Sequence, residues 1–353
     1  MPSHITHALV AWKAWSLVTG ERIPEKSPLP RHLKALTLGA QGPDIFFHNR
    51  RRKPSGLSLG ALAHRSAYGP LTSAMQETLA EDDALGLAYL AGWITHAITD
   101  RIFHPYVIYR SGWFSPALPH TTRYIRCHTL LERLIDLHLL AEETTLEIEE
   151  LEFRDYVDLG EEAPAWLIRM LKTGFRSTYQ EARKDKKLLL RIKNAYADAR
   201  DFYAAIHPMT HALVVRRMEE RTSREAKLRG LALLHPLLPP SFDIANTRRS
   251  LWYEPSPPPT PRREGIAELF QKAVDLSTGT LVPLYSPRVS KVPLEAFRRD
   301  GTNLSDGRGE GRPHVRYSNP LPLPSYLEDL LVHYEERFPL TAPAAGAGPS
   351  RTG

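Results

Sequence analysis

The feature that most restricts the fold is a long run of small and apolar residues over 84–103. It is rich in Ala and Leu and lacks the alternation of polar and apolar residues typical of a half-buried β-strand. Helical spacing of apolar residues recurs over 5–18 and over 126–141, where Leu130 and Leu134 share one stripe. Further helices are expected over residues 165–179, 187–205, 210–220 and 266–276. Because strand patterns are scarce, the sequence predicts an all-α, multi-helix bundle.

The chain changes character after its first two thirds. Residues 254–261 are rich in proline and cannot form a regular helix, and residues 283–324 are rich in Pro, Gly and Arg. At 353 residues the chain can bury a large core, as one large domain or as one domain with an extension. We predict a helical domain over 1–253, an irregular Pro-rich extension with short helices packed on it over 254–341, and a disordered tail over 342–353.

Composition excludes several classes of protein. The single cysteine, Cys127, rules out an intrachain disulfide framework and a zinc site built from thiolates. The N-terminus lacks the basic and apolar regions of a secretion signal, and the most apolar stretch, residues 85–98, is too short to span a bilayer. We therefore expect a cytoplasmic, soluble protein. The net charge of +6 would suit phosphate-bearing partners, but so modest an excess is more often ordinary solvated surface.

The strongest functional signal is the spacing of His96, Asp100 and His104. On a helix, positions i, i+4 and i+8 lie along one face about one turn apart. Imidazole and carboxylate are ligands that zinc accepts where no thiolate is available. A single histidine there would more often belong to a hydrogen-bonded core network. Three such residues in register, with an aspartate that would be costly to bury without a cation, favour a metal site.

Further candidates complete this set. His128 and Glu132 repeat the i, i+4 spacing and would supply ligands from a facing helix, as metal sites in helix bundles require. Asp136 lies one turn further on, where it would either orient a ligand histidine or form a charge at the edge of the core. Asp44 follows a Gly-Pro turn and His64 is expected near a short helix, although neither residue is informative alone.

Together these residues resemble the zinc-dependent phospholipase C family, which includes the N-terminal domain of glycosylphosphatidylinositol phospholipase D. The related S1/P1-type nucleases share the helical fold and the metal arrangement. Residues 4–136 carry the resemblance, in family order, through Thr6-His7-Ala8, Gly42-Pro43-Asp44-Ile45-Phe46, His64, His96, Asp100, His104-Pro105, His128 and Glu132. The resemblance implies an all-α phospholipase C / P1 nuclease-like bundle that binds two or three Zn²⁺ ions.

The resemblance also implies how the ligands are shared. The first zinc would be held by Asp44, His64, His96 and Asp100. The second zinc would be held by His104, His128 and Glu132. Asp100 would bridge toward a third ion, which His7 would also bind. In secreted family members the free N-terminal residue completes that third site; here Pro2 would do so after removal of Met1, and His4 is an alternative to His7.

Clustered zinc ions hydrolyse phosphodiesters by lowering the pKa of a water, neutralising phosphoryl oxygens and stabilising the departing alkoxide. Asp44 would double as the general base. The resemblance thus implies a phospholipase C-like phosphodiester hydrolase that acts on a phospholipid or a related phosphodiester, with peripheral membrane contact. Two alternatives stay open: an S1/P1-type single-strand nuclease or nucleotidase, with nucleic acid as its substrate, and a catalytically silent, metal-stabilised scaffold.

Other residues with a possible role are weaker candidates. Six aromatic residues are candidates for a pocket wall, although aromatic residues in helices are more often core: Phe46, Phe47, Trp93, Phe103, Trp113 and Phe114. His207 and His211 are also four apart, but Pro208 between them indicates a helix start, so a surface or capping role is expected. The basic run over 50–53 is a candidate for contact with phosphate, although a solvated loop is expected.

Overall fold

The computed structural model describes residues 4–80, 83–115, 117–207, 223–286 and 290–337. In this part of the chain the first seven α-helices are α1 (His4–Thr19), α2 (Arg31–Ala40), α3 (Leu57–Arg65), α4 (Tyr68–Gln76), α5 (Ala84–Ser111), α6 (Cys127–Glu143) and α7 (Phe153–Val157). The next seven are α8 (Ala165–Thr178), α9 (Gln180–Lys184), α10 (Leu188–Ala205), α11 (Arg224–Leu231), α12 (Ile266–Tyr285), α13 (Val292–Arg299) and α14 (Leu323–Arg337). The all-α prediction is confirmed.

Short 3-10 helices and one small sheet complete the described elements. The 3-10 helices are Gly42–Phe46, Pro119–Tyr124 and Ile148–Glu150. Strands β1 (Trp252–Tyr253) and β2 (Pro261–Arg262) pair antiparallel, with Trp252 opposite Arg262. The Pro-rich segment 254–261 thus runs from one strand into the other, without a helix, as its composition predicts.

The long helices agree with the periodicity of the sequence, but two of them end later than expected. Helix α5 continues through Pro105 to Ser111, and α12 continues to Tyr285. Residues 104–111 are all buried, so tertiary packing outweighs the loss of one helical hydrogen bond at the proline. The helix expected over 210–220 and the tail over 342–353 lie outside the described residues.

The centre of the fold is the close contact of α2 with α5. A Cβ added to Gly92 would come within 2.1 Å of the Leu36 carbonyl oxygen, and one added to Gly39 within 2.1 Å of the Tyr89 carbonyl oxygen. Only glycine permits the two backbones to approach so closely. Helices α1 and α12 pack against α5, and α1 also contacts α6. The two helices with the histidine–carboxylate motifs, α5 and α6, are therefore joined to α1 in one core.

Residues beyond 253 are in contact with the helices before them. Besides the packing of α12 on α1 and α5, Asp300 and Leu304 form backbone hydrogen bonds to Gly69 and His64. The domain boundaries at 253 and 341 stay a prediction. None of the helices in the described part of the chain combines the length and the apolar character that crossing a bilayer requires.

Candidate metal centre

The structure brings eight predicted ligands into one cluster of side chains. They are His7 on α1, Asp44 in the 3-10 helix, His64 on α3, His96, Asp100 and His104 on α5, and His128 and Glu132 on α6. His64 and His128 are half-buried and the other six are buried. Residues from five elements of the chain thus meet around the middle of α5.

Asp100 lies at the centre of this cluster, beside four of its histidines. One carboxylate oxygen lies 3.3 Å from His7 Nε2 and 3.8 Å from His104 Nε2. The other lies 3.4 Å from His96 Nε2 and 3.6 Å from His64 Nε2. Burial by itself would raise the pKa of Asp100, but the neighbouring imidazoles, His104 first, hold that pKa well below its usual range. The carboxylate is therefore ionised and faces two different sets of histidines.

Three groups within the cluster have atoms close enough to share one ion. In each group the candidate ligand atoms lie within 4.8 Å of one another. The groups are His7 with His96 and Asp100, Asp44 with His64 and His96, and His104 with His128 and Glu132. The last group also contains the shortest contact of the three, 2.8 Å between His128 Nε2 and Glu132 Oε1.

Backbone carbonyl groups orient three of the histidines. Nδ1 of His64, His96 and His104 each donates to a carbonyl oxygen. These acceptors belong to Gly60 (2.8 Å), Ala40 (3.0 Å) and Leu304 (3.0 Å), respectively. Because a carbonyl can only accept, Nδ1 carries the proton and the lone pair of Nε2 faces the cluster. A ligand histidine is held in this way by the contacts behind it.

Many polar atoms of the cluster are buried without a hydrogen-bond partner among the described residues. They are both ring nitrogens of His7, Oδ1 of Asp44, both carboxylate oxygens of Asp100, and Nε2 of His64, His96 and His104. Buried polar atoms are nearly always hydrogen-bonded, and leaving one desolvated costs about 1–3 kcal/mol. Nitrogen and oxygen donors with converging lone pairs are the set that zinc binds, so these residues fit zinc ions.

Gly42 explains how Asp44 reaches the cluster. Its φ is +51°, in the left-handed region, and a Cβ at this position would come within 2.4 Å of the His96 ring. The Gly-Pro turn therefore passes directly over that imidazole and starts the 3-10 helix that carries Asp44.

The sequence profile of zinc-dependent phospholipase C matches residues 3–197. This match covers more than half of the chain and includes all eight residues of the cluster. The chain belongs to the zinc-dependent phospholipase C family. Comparison with curated proteins and with solved structures gives no match. Membership supports a zinc-dependent phosphodiesterase of the phospholipase C type.

His4, the alternative to His7, lies outside the cluster of eight predicted ligands. It lies with Asp136 and His235, in a group whose ligand atoms are also within 4.8 Å of one another. The Arg133 guanidinium donates to His4 Nδ1, and burial, followed by this charge, holds the pKa of His4 well below its usual range. A guanidinium in that position disfavours a second cation. Pro2 lies outside the described residues.

Asp136 holds the first turn of α1 rather than the ring of a predicted ligand. Its carboxylate accepts hydrogen bonds from the backbone nitrogens of Ile5 (3.3 Å) and Thr6 (2.8 Å) and from the Thr6 hydroxyl (2.7 Å). His235 Nε2 lies 3.1 Å from the same carboxylate. Asp136 thus supports His7 through the backbone of α1. His235, which lies 99 residues further along the chain, was missed because nothing in the sequence pairs it with Asp136.

The remaining candidates separate into core residues and residues that line cavities. Phe46, Trp93 and Phe103 are fully buried in the core, whereas Phe47, Trp113 and Phe114 line a cavity beside the cluster. His207 is buried, not at the surface, and its Nε2 lies 3.1 Å from the Glu149 carbonyl oxygen. His211 lies outside the described residues.

The basic run over 50–53 is exposed along its whole length, which agrees with a solvated loop. Arg50 lines a cavity at the cluster, and Arg52 pairs with Asp198 at 2.6 Å and with Asp201 at 2.8 Å. Neighbouring arginines of one loop therefore have different environments.

Two cavities flank the cluster. The cationic cavity, of about 620 Å³, is lined by Asp44, His128 and Glu132 of the cluster and by three arginines, Arg50, Arg126 and Arg133. The apolar cavity, of about 660 Å³, is lined by His64, His104 and His128 and by a wall of Ile108, Trp113, Phe114, Tyr124 and Ile125. Both cavities also contain Phe47 and Arg126. The cluster is thus accessible from two sides of different chemistry.

Proposed function

We propose that this family member is a zinc-dependent phosphodiester hydrolase that releases the phosphorylated head group of a phospholipid. The observation that carries this proposal is the convergence of buried nitrogen and oxygen atoms that have no hydrogen-bond partner among the described residues, beside two open cavities that Asp44, His64 and His104 line. A purely structural cluster would have its polar atoms hydrogen-bonded and would not need access from solvent.

The proposed ligand sets follow the three groups of side chains. One zinc ion would be held by Asp44, His64, His96 and Asp100. A second would be held by His104, His128 and Glu132. A third would be held by His7 and Asp100. When bound, the ions supply an activated water and neutralise the charge on the phosphoryl and leaving oxygens.

Asp44 is the residue that we propose as general base. It lines the cationic cavity at the cluster, where a water and a diester would meet. Burial raises its pKa, but the contact with His64 at 3.0 Å and the charge of His96 lower it, and the net shift is downward. The carboxylate is therefore ionised at neutral pH and able to accept a proton.

The reaction consumes one water for each diester. The oxygen of the water bonds to phosphorus, the bond between phosphorus and the glycerol oxygen breaks, and one proton of the water passes to that oxygen. The products are a diacylglycerol and a phosphomonoester of the head group. Hydrolysis of a single-stranded nucleic acid would also consume one water for each diester, with a nucleoside hydroxyl as the leaving group. The aliphatic side chains Ile108 and Ile125 beside the aromatic wall favour a lipid.

The test combines metal content with turnover. Full-length protein loaded with zinc is expected to retain at least two ions by mass spectrometry and to hydrolyse bis(p-nitrophenyl) phosphate. Asp44→Asn keeps the size of the side chain and is expected to lower this hydrolysis by about 100-fold or more. Zinc retention without hydrolysis of any phosphodiester would support the silent scaffold, and failure to retain zinc would overturn the proposal.

A further inference from the structure

The walls of the cationic cavity are positively charged beyond the metal cluster. Its acidic lining residues are Asp44 and Glu132, which both belong to the proposed zinc sites. With zinc bound, their charge would be neutralised. Arg50 and Arg126 would then leave this side of the site with a net positive charge. Such a cavity attracts an anion and repels a quaternary ammonium group.

Arg50 and Arg126 have no carboxylate partner in the part of the chain that the structure describes. Arg50 donates from Nε to the Phe47 carbonyl oxygen at 3.1 Å, and neither guanidinium forms an ion pair there. Arg52, two residues from Arg50, is instead bound to two aspartates. Charged groups left without partners beside an open cavity are available to a ligand.

Arg126 combines a strained backbone conformation with a position close to a second arginine. Its φ is +74°, which a non-glycine residue adopts at some energetic cost, and it precedes α6 without forming a side-chain cap. Arg50 and Arg126 line the same cavity, so their like charges repel each other there. A second anionic group on the substrate would relieve this repulsion between like charges.

The apolar cavity has the chemistry that the glycerol and acyl chains of a lipid require. Trp113 and Phe114 are 36% and 39% exposed, which is high for side chains of this size. They continue the apolar wall of Ile108 and Ile125 toward solvent. Aromatic residues at such an edge suit the boundary between lipid and water. Arg126 lines both cavities and so stands between the two halves of the site.

We propose that the substrate is a phospholipid whose head group carries a phosphomonoester in addition to the scissile phosphodiester. Arg50 and Arg126 bind the phosphomonoester, the diester lies over the metal cluster, and the glycerol and acyl chains occupy the apolar cavity. This inference rests on the proposed function and names its substrate class. Phosphatidylcholine is a poor substrate because its trimethylammonium group would face two arginines.

The test compares lipids whose head groups differ in charge, two of which differ only by one phosphomonoester. Zinc-loaded full-length protein is assayed in detergent micelles of phosphatidylinositol 4-phosphate, phosphatidylinositol or phosphatidylcholine, and the water-soluble phosphate product is measured. We expect kcat/KM to be about tenfold or more higher for phosphatidylinositol 4-phosphate than for either other lipid. Arg126→Gln and Arg50→Gln should each lower kcat/KM for phosphatidylinositol 4-phosphate toward the value for phosphatidylinositol and so remove most of this preference.

The matched control is Arg51→Gln, which removes the same charge from an exposed arginine that lines neither cavity. It should leave the preference intact. A second variant, Trp113→Ala with Phe114→Ala, should lower hydrolysis of every lipid by a similar factor and leave the preference among the lipids unchanged. Titration calorimetry with inositol 1,4-bisphosphate, the expected head-group product, gives a readout without turnover, and Arg126→Gln should weaken this binding about tenfold.

The outcomes separate this inference from the proposed function. If no phosphodiester is hydrolysed, the proposed function fails, and the calorimetric comparison still decides whether Arg126 binds the phosphomonoester. Equal kcat/KM for the three lipids, or equal loss in Arg51→Gln and Arg126→Gln, would overturn the inference. Faster cleavage of a single-stranded oligonucleotide than of any lipid would overturn it as well, since the arginines would then serve neighbouring phosphates of a strand.

Discussion

Arg101 ties the C-terminal part of the chain to the metal centre, and its replacement should weaken both stability and zinc binding. Its guanidinium donates to Asp300 Oδ2 at 2.6 Å and to the carbonyl oxygens of Thr302 at 2.9 Å and Asn303 at 3.3 Å. The carbonyl oxygen of the next residue, Leu304, accepts a hydrogen bond from Nδ1 of His104. Arg101 therefore holds in place the carbonyl that orients a predicted zinc ligand.

The expected magnitude follows from these three hydrogen bonds. Hydrogen bonds to a charged group contribute about 1.5–3 kcal/mol each when buried. The Arg101 and Asp300 side chains are 16% and 31% exposed, so water replaces part of this interaction after substitution. We expect Arg101→Met to lower the free energy of unfolding by roughly 3 kcal/mol. Loss of contacts behind a ligand histidine typically weakens metal binding by about 10–100-fold.

Urea denaturation and competition with a chromophoric chelator measure the two effects. Arg299→Met is the matched control, because Arg299 is an exposed arginine beside the same aspartate. Should Arg101→Met fail to fold, Arg101→Lys keeps the charge and is expected to show about half of the loss. An Arg101→Met protein with the unfolding free energy and zinc affinity of the wild type would refute the reasoning, since residues 300–304 would then not support His104.

Three further predictions concern individual side chains. His96→Ala should lose zinc and activity together, whereas His207→Ala, which removes another buried histidine, should retain zinc; metal analysis of both variants checks this. Burial lowers the pKa of His48 to about 3, so between about pH 6.5 and 3 the unfolded chain binds a proton that the folded chain does not. The free energy of unfolding should therefore fall as the pH falls through this window. The His48→Phe variant, measured by urea denaturation without zinc, should reduce the slope of that free energy against pH by up to about 1.4 kcal/mol per pH unit. An unchanged slope would contradict the lowered pKa of His48. Burial raises the pKa of the Cys127 thiol to about 12, so a thiol reagent should label Cys127 slowly in zinc-loaded protein. Labelling should become faster after chelation of the zinc, because the next residue, His128, is a proposed zinc ligand. Equal rates would contradict this link between zinc binding and the exposure of Cys127.

The shared helix face of the candidate ligands could be predicted because helix geometry relates spacing in the sequence to position in space. His96, Asp100 and His104 had to share a face of α5 once that stretch was helical. The same holds for His128 and Glu132 on α6. Asp44 and His64 were less certain from the residues alone, because a turn and a short helix do not determine where a side chain points.

The supporting contacts could not be predicted, since they join residues that are distant in the sequence. Leu304 lies 200 residues after His104 and contributes only a backbone carbonyl, which carries no signal in the side-chain pattern. Asp136 was expected to meet a ligand ring or to lie at the edge of the core, yet it accepts backbone hydrogen bonds from the first turn of α1. The charge of the cationic cavity could not be predicted from the sequence either, because Arg50 and Arg126 belong to separate segments of the chain.

By itself, the sequence determined the all-α class, a set of candidate metal ligands and the kind of ion that they suit. These properties follow from periodicity within one helix, from the chemistry of imidazole and carboxylate groups and, for His7, Asp44 and His64, from the resemblance to a known family. The tertiary structure alone decided which ligand atoms lie together, which carbonyls orient them and how the two cavities divide the site. Those properties depend on contacts such as Gly92 against α2 and Leu304 against His104, where backbones meet that no local pattern relates.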